Sequence, residues 1–494
     1  MTGKSADQNL QDSPDAAASL KPESILMRLA RDAGIDRASG FAILARFWQL
    51  LTGPITQILI TLCMSAAGQD YYYAFNSLLG MQVFLELGLH AVLINLASRE
   101  WARLELVEGK ISGHPESLKR LATLGRLTVS WYRGVSVLFV VSLISMGLLY
   151  FSRIEEKRLA SEAASSSLVW ISPWICLVMI NGALLSILPV TSILEGCHQV
   201  VAIHRVRLWQ WIAGSLAVWV SLMAGLGLWA LVASSAIRLC GEFYLARLRF
   251  PQFYELFRTQ GYEQSFVWKH EILPLQWRMA LQGVAVWGAN QMPVLVLLNY
   301  FPASGEAGRL GMTWTILSAF QSVGMAMIET RRPLFGSLVE RKEFKSLDET
   351  FFRLTLRSMV AIVLLVSAYC LLIALIQTRS EWLAVKFSER LLPLLPTILL
   401  SVAFICYQFV MCLGIYVRSH RVDPFVVASV LSCAVIAVLE FTLGRKFQAT
   451  GVAFGYLAGV VVTLLPCYVL IWRNFRQRTP ADEVCRAEQS PQPR

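Results

Sequence analysis

The sequence predicts an all-α polytopic membrane protein of about twelve transmembrane helices, because three of its properties agree. The 494 residues are 55% hydrophobic and only 16% charged. A soluble protein would carry about 25% charged residues. The mean hydropathy is +0.53, and the apolar residues fall into blocks long enough to cross a bilayer rather than being scattered.

Twelve apolar blocks follow one another along the chain, and each is predicted to form one membrane-spanning helix. Gly225, Leu226 and Gly227 alone separate the fifth block from the sixth, so these two helices are expected to form a tight hairpin at one membrane face. The predicted spans are 41–64, 72–97, 132–151, 168–190, 208–226, 228–246, 274–300, 310–329, 355–376, 391–416, 424–443 and 449–472.

The spans divide the chain into two halves flanked by polar tails. The N-terminal tail has no apolar core of the signal-peptide type. The predicted segments are a polar tail at 1–40, a six-helix bundle at 41–250, a linker loop at 251–273, a second six-helix bundle at 274–473 and a polar tail at 474–494.

The distribution of lysine and arginine predicts the orientation in the membrane. With the N-terminus placed in the cytoplasm, the cytoplasmic segments hold 31 of these residues and the outer loops hold nine. Short cytoplasmic loops collect basic residues, so both termini are expected to be cytoplasmic. This bias also accounts for the net charge of +11 without any nucleic-acid partner, since basic loops face anionic lipids.

The two halves resemble each other in the order of their features. The first span of each has an arginine near its cytoplasmic end, Arg46 in ILARFWQL and Arg278 in PLQWRMAL. Both halves begin on the same side, so they are expected to be related by a pseudo-two-fold axis along the membrane normal. Two such bundles leave a central cleft between them.

The first span has a polar face and an apolar face. At 100° per residue, Arg46, Gln57 and four other polar residues share roughly half of the helix circumference. The opposite arc is predicted to face lipid and contains Phe47, Trp48, Leu51, Ile55, Ile58, Leu59 and Leu62.

The seventh span is also polar on one side, where Gln276, Arg278, Gln282 and Asn290 fall within roughly 160°. Such amides can join helices to one another, and such arginines can extend to lipid phosphates. The matched positions of the two arginines favour a shared wet cleft. The candidate substrate-binding residues are therefore Arg46, Gln57, Arg278, Gln282 and Asn290.

Glu86, in the second span, is the candidate for a protonatable coupling site, with a structural ion pair as the equal alternative. The sequence contains no GxxxxGK[ST], HExxH or GxSxG motif. Its cysteines are scattered singly, which suggests neither disulfides nor a metal site. We therefore expect no enzymatic activity, no catalytic residue, no metal and no cofactor.

Several stretches resemble the multidrug/oligosaccharidyl-lipid/polysaccharide (MOP) exporter superfamily, and within it the polysaccharide-biosynthesis flippases. They are FLELGLHAVLINLASRE at 84–100, ILEG at 193–196, GLGLWAL at 225–231, LPLQWRMA at 273–280 and TRRPLFGSL at 330–338. The resemblance covers about 40–475. It implies a V-shaped pair of six-helix bundles with alternating access.

The polysaccharide branch of that superfamily moves polyprenyl-pyrophosphate-linked glycans, such as O-antigen precursors, across the bacterial inner membrane, and the drug branch exchanges cations for drugs. Arginines suit a pyrophosphate, and amides suit sugar hydroxyls. An exchanger of cationic drugs would instead need buried carboxylates. The expected function is therefore a lipid-linked glycan flippase that works beside a polymerase or glycosyltransferases. A cation-coupled multidrug antiporter and a non-transporting scaffold are the alternatives.

Overall fold

The computed structural model describes residues 37–82, 89–107, 109–160, 168–258, 273–302, 304–379, 381–420 and 422–489. This part of the chain is almost entirely helical. Its helices are α1 Arg37–Cys63, α2 Ala66–Leu79, α3 Leu89–Trp101, α4 Pro115–Leu159, α5 Ile171–Gly196, α6 Val200–Met223, α7 Trp229–Phe243, α8 Pro251–Arg258, α9 Leu273–Tyr300, α10 Glu306–Glu329, α11 Arg332–Glu340, α12 Phe344–Thr378, α13 Trp382–Ser388, α14 Leu394–Arg418, α15 Val426–Gly459 and α16 Leu465–Gln489. Short π-helical segments, Tyr244–Arg249 and Val460–Leu464, follow α7 and α15.

The described parts of the predicted spans fall largely on these helices, which confirms the all-α membrane fold, and the second span is divided between α2 and α3. Six described helical stretches are long and apolar enough to cross a bilayer by themselves, and the last of them, Val426–Gln477, contains the final two spans. That stretch breaks at Phe447 and Gln448, where the backbone leaves helical geometry between those two spans.

The hairpin between the fifth and sixth spans is confirmed. Helix α6 ends at Met223 and α7 begins at Trp229. Gly225 and Gly227 have φ angles of 73° and 56°, a left-handed conformation that glycine adopts without steric penalty. The reversal at this point therefore depends on the glycines themselves.

Some structure lies where the sequence analysis predicted loops. Residues Leu104–Val107 (β1) and Lys110–Gly113 (β2) form an antiparallel hairpin between the second and third spans. Helix α4 has 45 residues, about 67 Å of helix, whereas its predicted span covers only 132–151. Helix α8 lies inside the predicted linker loop. Outside the predicted span, these segments contain no long run of apolar residues, so the apolar blocks of the sequence did not predict them.

The helices form two bundles with the same internal packing. In the first bundle α1 packs on α6 and α4 packs on α5. In the second, α9 packs on α15 and α12 packs on α14, which are the equivalent pairs. This repeated arrangement is the one expected for two six-helix bundles of like topology.

Aromatic side chains fill the core of the first bundle. Phe75, Phe151 and Trp174 are fully buried and contact one another with ring centroids 4.9–5.4 Å apart. Gly147 of α4 makes room for this cluster, because a Cβ atom there would lie 2.1 Å from Nε1 of Trp174. The close contact between α4 and α5 depends on that glycine.

The two bundles form a V and meet near one face of the membrane. We call the face at which α1 begins the proximal face and the face at which it ends the distal face. Helix α2, which starts at the distal face, packs against α9 and α10 of the second bundle, and α13 contacts the end of α1. The contacts between the bundles are thus concentrated in the distal half.

Candidate substrate site between the two bundles

The threonines on the polar face of α1 donate hydrogen bonds within their own helix, and the Thr56 hydroxyl also accepts one from Trp219 Nε1 of α6 at 3.0 Å. The hydroxyls of Thr52, Thr56 and Thr61 donate to backbone carbonyls three or four residues earlier, at 2.9–3.3 Å. For these three residues, the interpretation as structural groups is the better one.

The apolar face of α1 is largely as predicted. Phe47, Leu51, Ile55 and Ile58 are exposed on the protein surface, with 42–56% of their side-chain area accessible. Trp48, Leu59 and Leu62 are half-buried, and the Trp48 indole Nε1 donates to the Ser215 hydroxyl at 3.0 Å. These three residues therefore lie only partly on the predicted lipid face.

Gln57 is half-buried on α1 and joins it to α2. Its Oε1 accepts a hydrogen bond from the Tyr73 hydroxyl at 2.5 Å. Tyr73 in turn lies against the second bundle, because a Cβ on Gly311 of α10 would come within 2.4 Å of the tyrosine ring. Gln57 thus lies one side chain away from the junction of the bundles.

On α9, the predicted residues Gln282 and Asn290 are both half-buried. The Asn290 side-chain amide donates to the carbonyl of Val286 at 2.7 Å, in its own helix. The backbones of Arg46 and Arg278 lie in α1 and α9, but their side chains are outside the described part of the structure. Glu86 also lies outside the described residues.

Sequence reasoning missed two residues of α9 that reach the first bundle. Gln291 accepts a hydrogen bond from the Ser77 hydroxyl at 3.1 Å, and Trp287 Nε1 donates to the Ser77 carbonyl at 2.9 Å. Gly80, one turn beyond Ser77, leaves space for the Trp287 ring. Trp287 and Gln291 are four residues apart and therefore lie on one face of the helix. This spacing is the feature of the sequence that could have predicted their shared contact.

A carboxylate from the first bundle caps a helix of the second at the distal face. Asp70 is 1% exposed, and its Oδ1 accepts a hydrogen bond from the Gly308 backbone N–H at 2.6 Å. Gly308 lies in the first turn of α10, whose N–H groups have no partner within the helix. The N-cap residue Gly305 offers no side-chain oxygen, so Asp70 supplies the cap across the interface.

Two basic side chains of the second bundle bond to the first bundle beside Asp70. Arg390 Nη2 donates to the Met64 carbonyl at 2.9 Å, and Lys386 Nζ donates to the Leu62 carbonyl at 3.0 Å. Gln69 donates to the carbonyl of Arg390 at 3.2 Å. Together with Asp70 these contacts form a polar seal, which we call the distal clasp.

An apolar groove runs between α9 and α15 on the second bundle. It has a volume of about 610 Å³ and is lined by side chains such as Leu281, Trp287, Met292, Ala437 and Phe441. Neither Gln282 nor Asn290 lines the groove, so its α9 side is formed by apolar side chains.

Glu440 of α15 is a buried acidic residue that sequence reasoning did not select. It is 1% exposed, and neither carboxylate oxygen has a hydrogen-bond partner among the described residues. An isolated carboxylate in such a place is costly unless it binds a proton or a cation. No group of three or more His, Cys, Asp or Glu side chains suited to a metal ion occurs in the described ranges.

No family model matches the sequence, and no curated protein sequence matches it. Solved structures do match the fold. A MATE-family multidrug resistance transporter of the MOP superfamily, in an inward-facing conformation, superposes with a TM-score of 0.59 at 13% identity, covering 88% of this chain and 96% of the transporter.

Two further structures agree with that match. The lipid II flippase MurJ, in an inward closed conformation, has a TM-score of 0.56 at 13% identity, covering 87% of this chain and 86% of MurJ. A MATE transporter from Vibrio cholerae has a TM-score of 0.55 at 11% identity, covering 92% and 98% of the two chains. The chain therefore has the two-bundle fold of MOP-superfamily transporters, as its sequence predicted.

Proposed function

We propose that this protein is an alternating-access transporter that moves a polyprenyl-pyrophosphate-linked oligosaccharide across the bacterial inner membrane. Both termini would lie in the cytoplasm, so the proximal face is the cytoplasmic face. The single observation that carries the proposal is the distal clasp, which joins two like bundles at one face of the membrane. The fold shared with a lipid II flippase supports it.

The distal clasp is the polar part of the junction between the bundles. It consists of a few hydrogen bonds, such as those made by Asp70, Gln69 and Arg390, and it lies beside apolar contacts between α2 and the second bundle. Each such bond is worth only about 1 kcal/mol net, or somewhat more where a charge takes part. Rocking of the bundles would break the clasp and open the cleft to the distal side.

The substrate class is proposed from the chemistry of the cleft and its neighbouring groove. Arg46 and Arg278 would bind the pyrophosphate, and Gln57, Gln282 and Asn290 would bind sugar hydroxyls. The apolar groove between α9 and α15 would accept part of the polyprenyl chain while the rest stays in the bilayer. Polymerases or glycosyltransferases of the same pathway are the proposed partners.

A cation-coupled multidrug antiporter is the second candidate, and the unpartnered carboxylate of Glu440 favours it. An antiporter predicts that cells expressing the protein export a cationic dye and that Glu440→Gln cells do not. Unchanged dye export after deletion of the gene speaks against this candidate. Coupling of glycan transport to a proton or sodium ion through Glu86 stays a separate proposal.

Mass spectrometry of lipid extracts from a deletion strain tests the main proposal. Accumulation of a polyprenyl-pyrophosphate oligosaccharide, together with loss of a surface glycan, would support the flippase function and identify the sugar. An unchanged lipid pool with new sensitivity to cationic dyes would overturn it in favour of the antiporter.

Substitution of Arg278 tests the site. We expect Arg278→Ala to abolish transport without affecting membrane insertion, because a charge-assisted contact to pyrophosphate is lost. The measurement is complementation of the deletion strain at matched protein levels in the membrane. Arg357→Ala, which removes an exposed arginine of α12, is the control. Full complementation by Arg278→Ala would remove this residue from the site.

A further inference from the structure

The short helix α8 is held firmly on the proximal side of the first bundle. Its Phe253 and Phe257 are buried, and Phe253 packs against Trp101 with ring centroids 5.5 Å apart. Gly125 of α4 lies directly beneath Phe257, where a Cβ atom would be 2.1 Å from the ring. Because these two phenylalanines hold α8 against the bundle, the side of α8 that faces away from the bundle has a fixed orientation.

On that side, two arginines from different membrane helices converge on one tyrosine. Arg247 lies in the π-helical segment that follows α7. Its guanidinium group stacks on the Tyr254 ring, 3.5 Å from the ring centroid, and its Nη2 donates to the tyrosine hydroxyl at 2.7 Å. Arg133 of α4 donates to the same hydroxyl at 3.3 Å. Both guanidinium groups are on exposed residues.

The two positive charges share a neutral acceptor. In the part of the chain that the structure describes, neither Arg133 nor Arg247 forms an ion pair with a carboxylate, and Glu255, the next residue of α8, has contacts of its own. Two guanidinium groups brought this close repel each other unless an anion lies between them. The cluster is therefore complementary to a bidentate anion such as a phosphate.

The surroundings of the cluster are apolar and exposed. Phe243, Tyr244 and Leu248, on the same end of α7, have 43–67% of their area accessible, and Trp131 of α4 is 42% exposed. Aromatic residues at this level are typical of the interface between membrane and water. A ligand bound by the arginines would thus have its apolar part against these side chains.

We propose that Arg133, Arg247 and Tyr254 form a binding site for the head group of an anionic phospholipid of the surrounding bilayer. The arginines bind the lipid phosphate, Tyr254 fixes both guanidinium groups, and the acyl chains lie along the exposed apolar side chains. Basic clusters between membrane helices are a known form of lipid recognition. The site lies on the outer surface of one bundle, so it does not depend on which substrate the cleft carries.

Native mass spectrometry of the full-length protein in detergent tests this site. Dioleoyl phosphatidylglycerol is titrated against dioleoyl phosphatidylcholine, and the first bound lipid is quantified. We expect phosphatidylglycerol to bind wild type about tenfold more tightly, because both lipids offer a phosphate but the quaternary ammonium of phosphatidylcholine brings a further positive charge to the two arginines. Arg133→Gln/Arg247→Gln should lose this preference.

The matched control is Arg331→Gln/Arg341→Gln, which removes two exposed arginines from the same face of the other bundle. It should keep the preference to within about twofold, because distant charges are screened. Tyr254→Phe keeps both charges but loses the oxygen that fixes them, and should weaken binding roughly threefold.

Equal binding of phosphatidylglycerol by wild type and Arg133→Gln/Arg247→Gln would overturn the proposal. So would competition by inorganic phosphate that displaces the lipid at similar concentration, since the site would then bind a soluble anion. Size-exclusion chromatography of each variant checks that the protein is folded, so that a loss of lipid binding is not caused by misfolding.

Discussion

At the end of α4, Glu155 gathers hydrogen bonds from three parts of the chain. It accepts two from Arg158, at 3.0 and 2.7 Å, one from the Tyr71 hydroxyl at 2.9 Å and one from the Leu168 N–H at 3.2 Å. Burial acts to raise the pKa of Glu155, but these bonds outweigh it and hold the pKa below its usual value of 4.5. The ionised form is therefore the stabilising one.

The pH dependence of stability follows from that direction. The pKa of Glu155 is lower in the folded protein than in the unfolded chain, so the network contributes fully above pH 4.5. Its contribution is lost as the pH falls through the folded-state pKa. We expect Glu155→Gln to lower the free energy of unfolding by about 2 kcal/mol at neutral pH, and by less in acid.

Thermal unfolding of the purified protein between neutral pH and pH 4 measures this effect. Glu156→Gln is the control, because Glu156 is the exposed neighbour and should change stability by less than about 0.5 kcal/mol. If both variants have the same stability and pH dependence, the network around Glu155 is not stabilising.

At the scale of the element, two of the three glycines of α4 have opposite roles. A methyl group on Gly147 would clash with Trp174, whereas nothing lies within 4 Å of a Cβ on Gly134. We expect Gly147→Ala to destabilise the protein by about 1–3 kcal/mol through overpacking. Gly134→Ala should be neutral or stabilise by up to about 1 kcal/mol, since alanine favours helix.

Thermal unfolding in one detergent measures both glycine variants of α4. Because they add the same atoms to the same helix, the difference between them isolates the contact with α5. Equal melting temperatures would mean that α4 and α5 can separate at Trp174 without cost.

Helix α10 shows that an element can depend on a distant one. Its first turn is capped by Asp70 of α2, although Asp70 and Gly308 are far apart in the sequence. The N-cap residue Gly305 has no side-chain oxygen, and the local Ser304 hydroxyl accepts only from the Glu306 N–H, at 3.2 Å. The Gly308 N–H is thus paired with Asp70 only while the two bundles are in contact.

At the scale of the whole molecule, a disulfide across the distal clasp should arrest transport. A Cβ on Gly305 would lie 3.8 Å from the Cβ of Ala66, which is the usual separation in a disulfide. In a background without native cysteines, Ala66→Cys/Gly305→Cys should lose transport when oxidised and regain it with dithiothreitol. The positive φ of Gly305 would add some strain.

The measurement is transport of the accumulated lipid-linked substrate in reconstituted vesicles, with Ala66→Cys alone as the control. Transport by the oxidised double-cysteine protein at the rate of the control would contradict an alternating-access cycle that opens this face.

The sequence predicted the candidate site less completely than the fold. Gln57 does lie beside the junction of the bundles, through Tyr73. The hydroxyls of Thr52, Thr56 and Thr61, on the same polar face, donate to carbonyls of their own helix, and Thr56 also accepts from Trp219 of the same bundle. A helical wheel gives the direction of a side chain but not the neighbour it meets, so it could not separate these two cases.

The sequence by itself determined the twelve spans, the hairpin at Gly225 and Gly227, and the like topology of the two halves. These features depend on local properties, since bilayer thickness sets the length of each apolar block and glycine permits the reversal. The tertiary structure alone decided that Asp70 caps α10 and that Gln291 meets Ser77. Such contacts depend on the rotation and the approach of helices from distant segments. A local pattern of residues does not predict that packing.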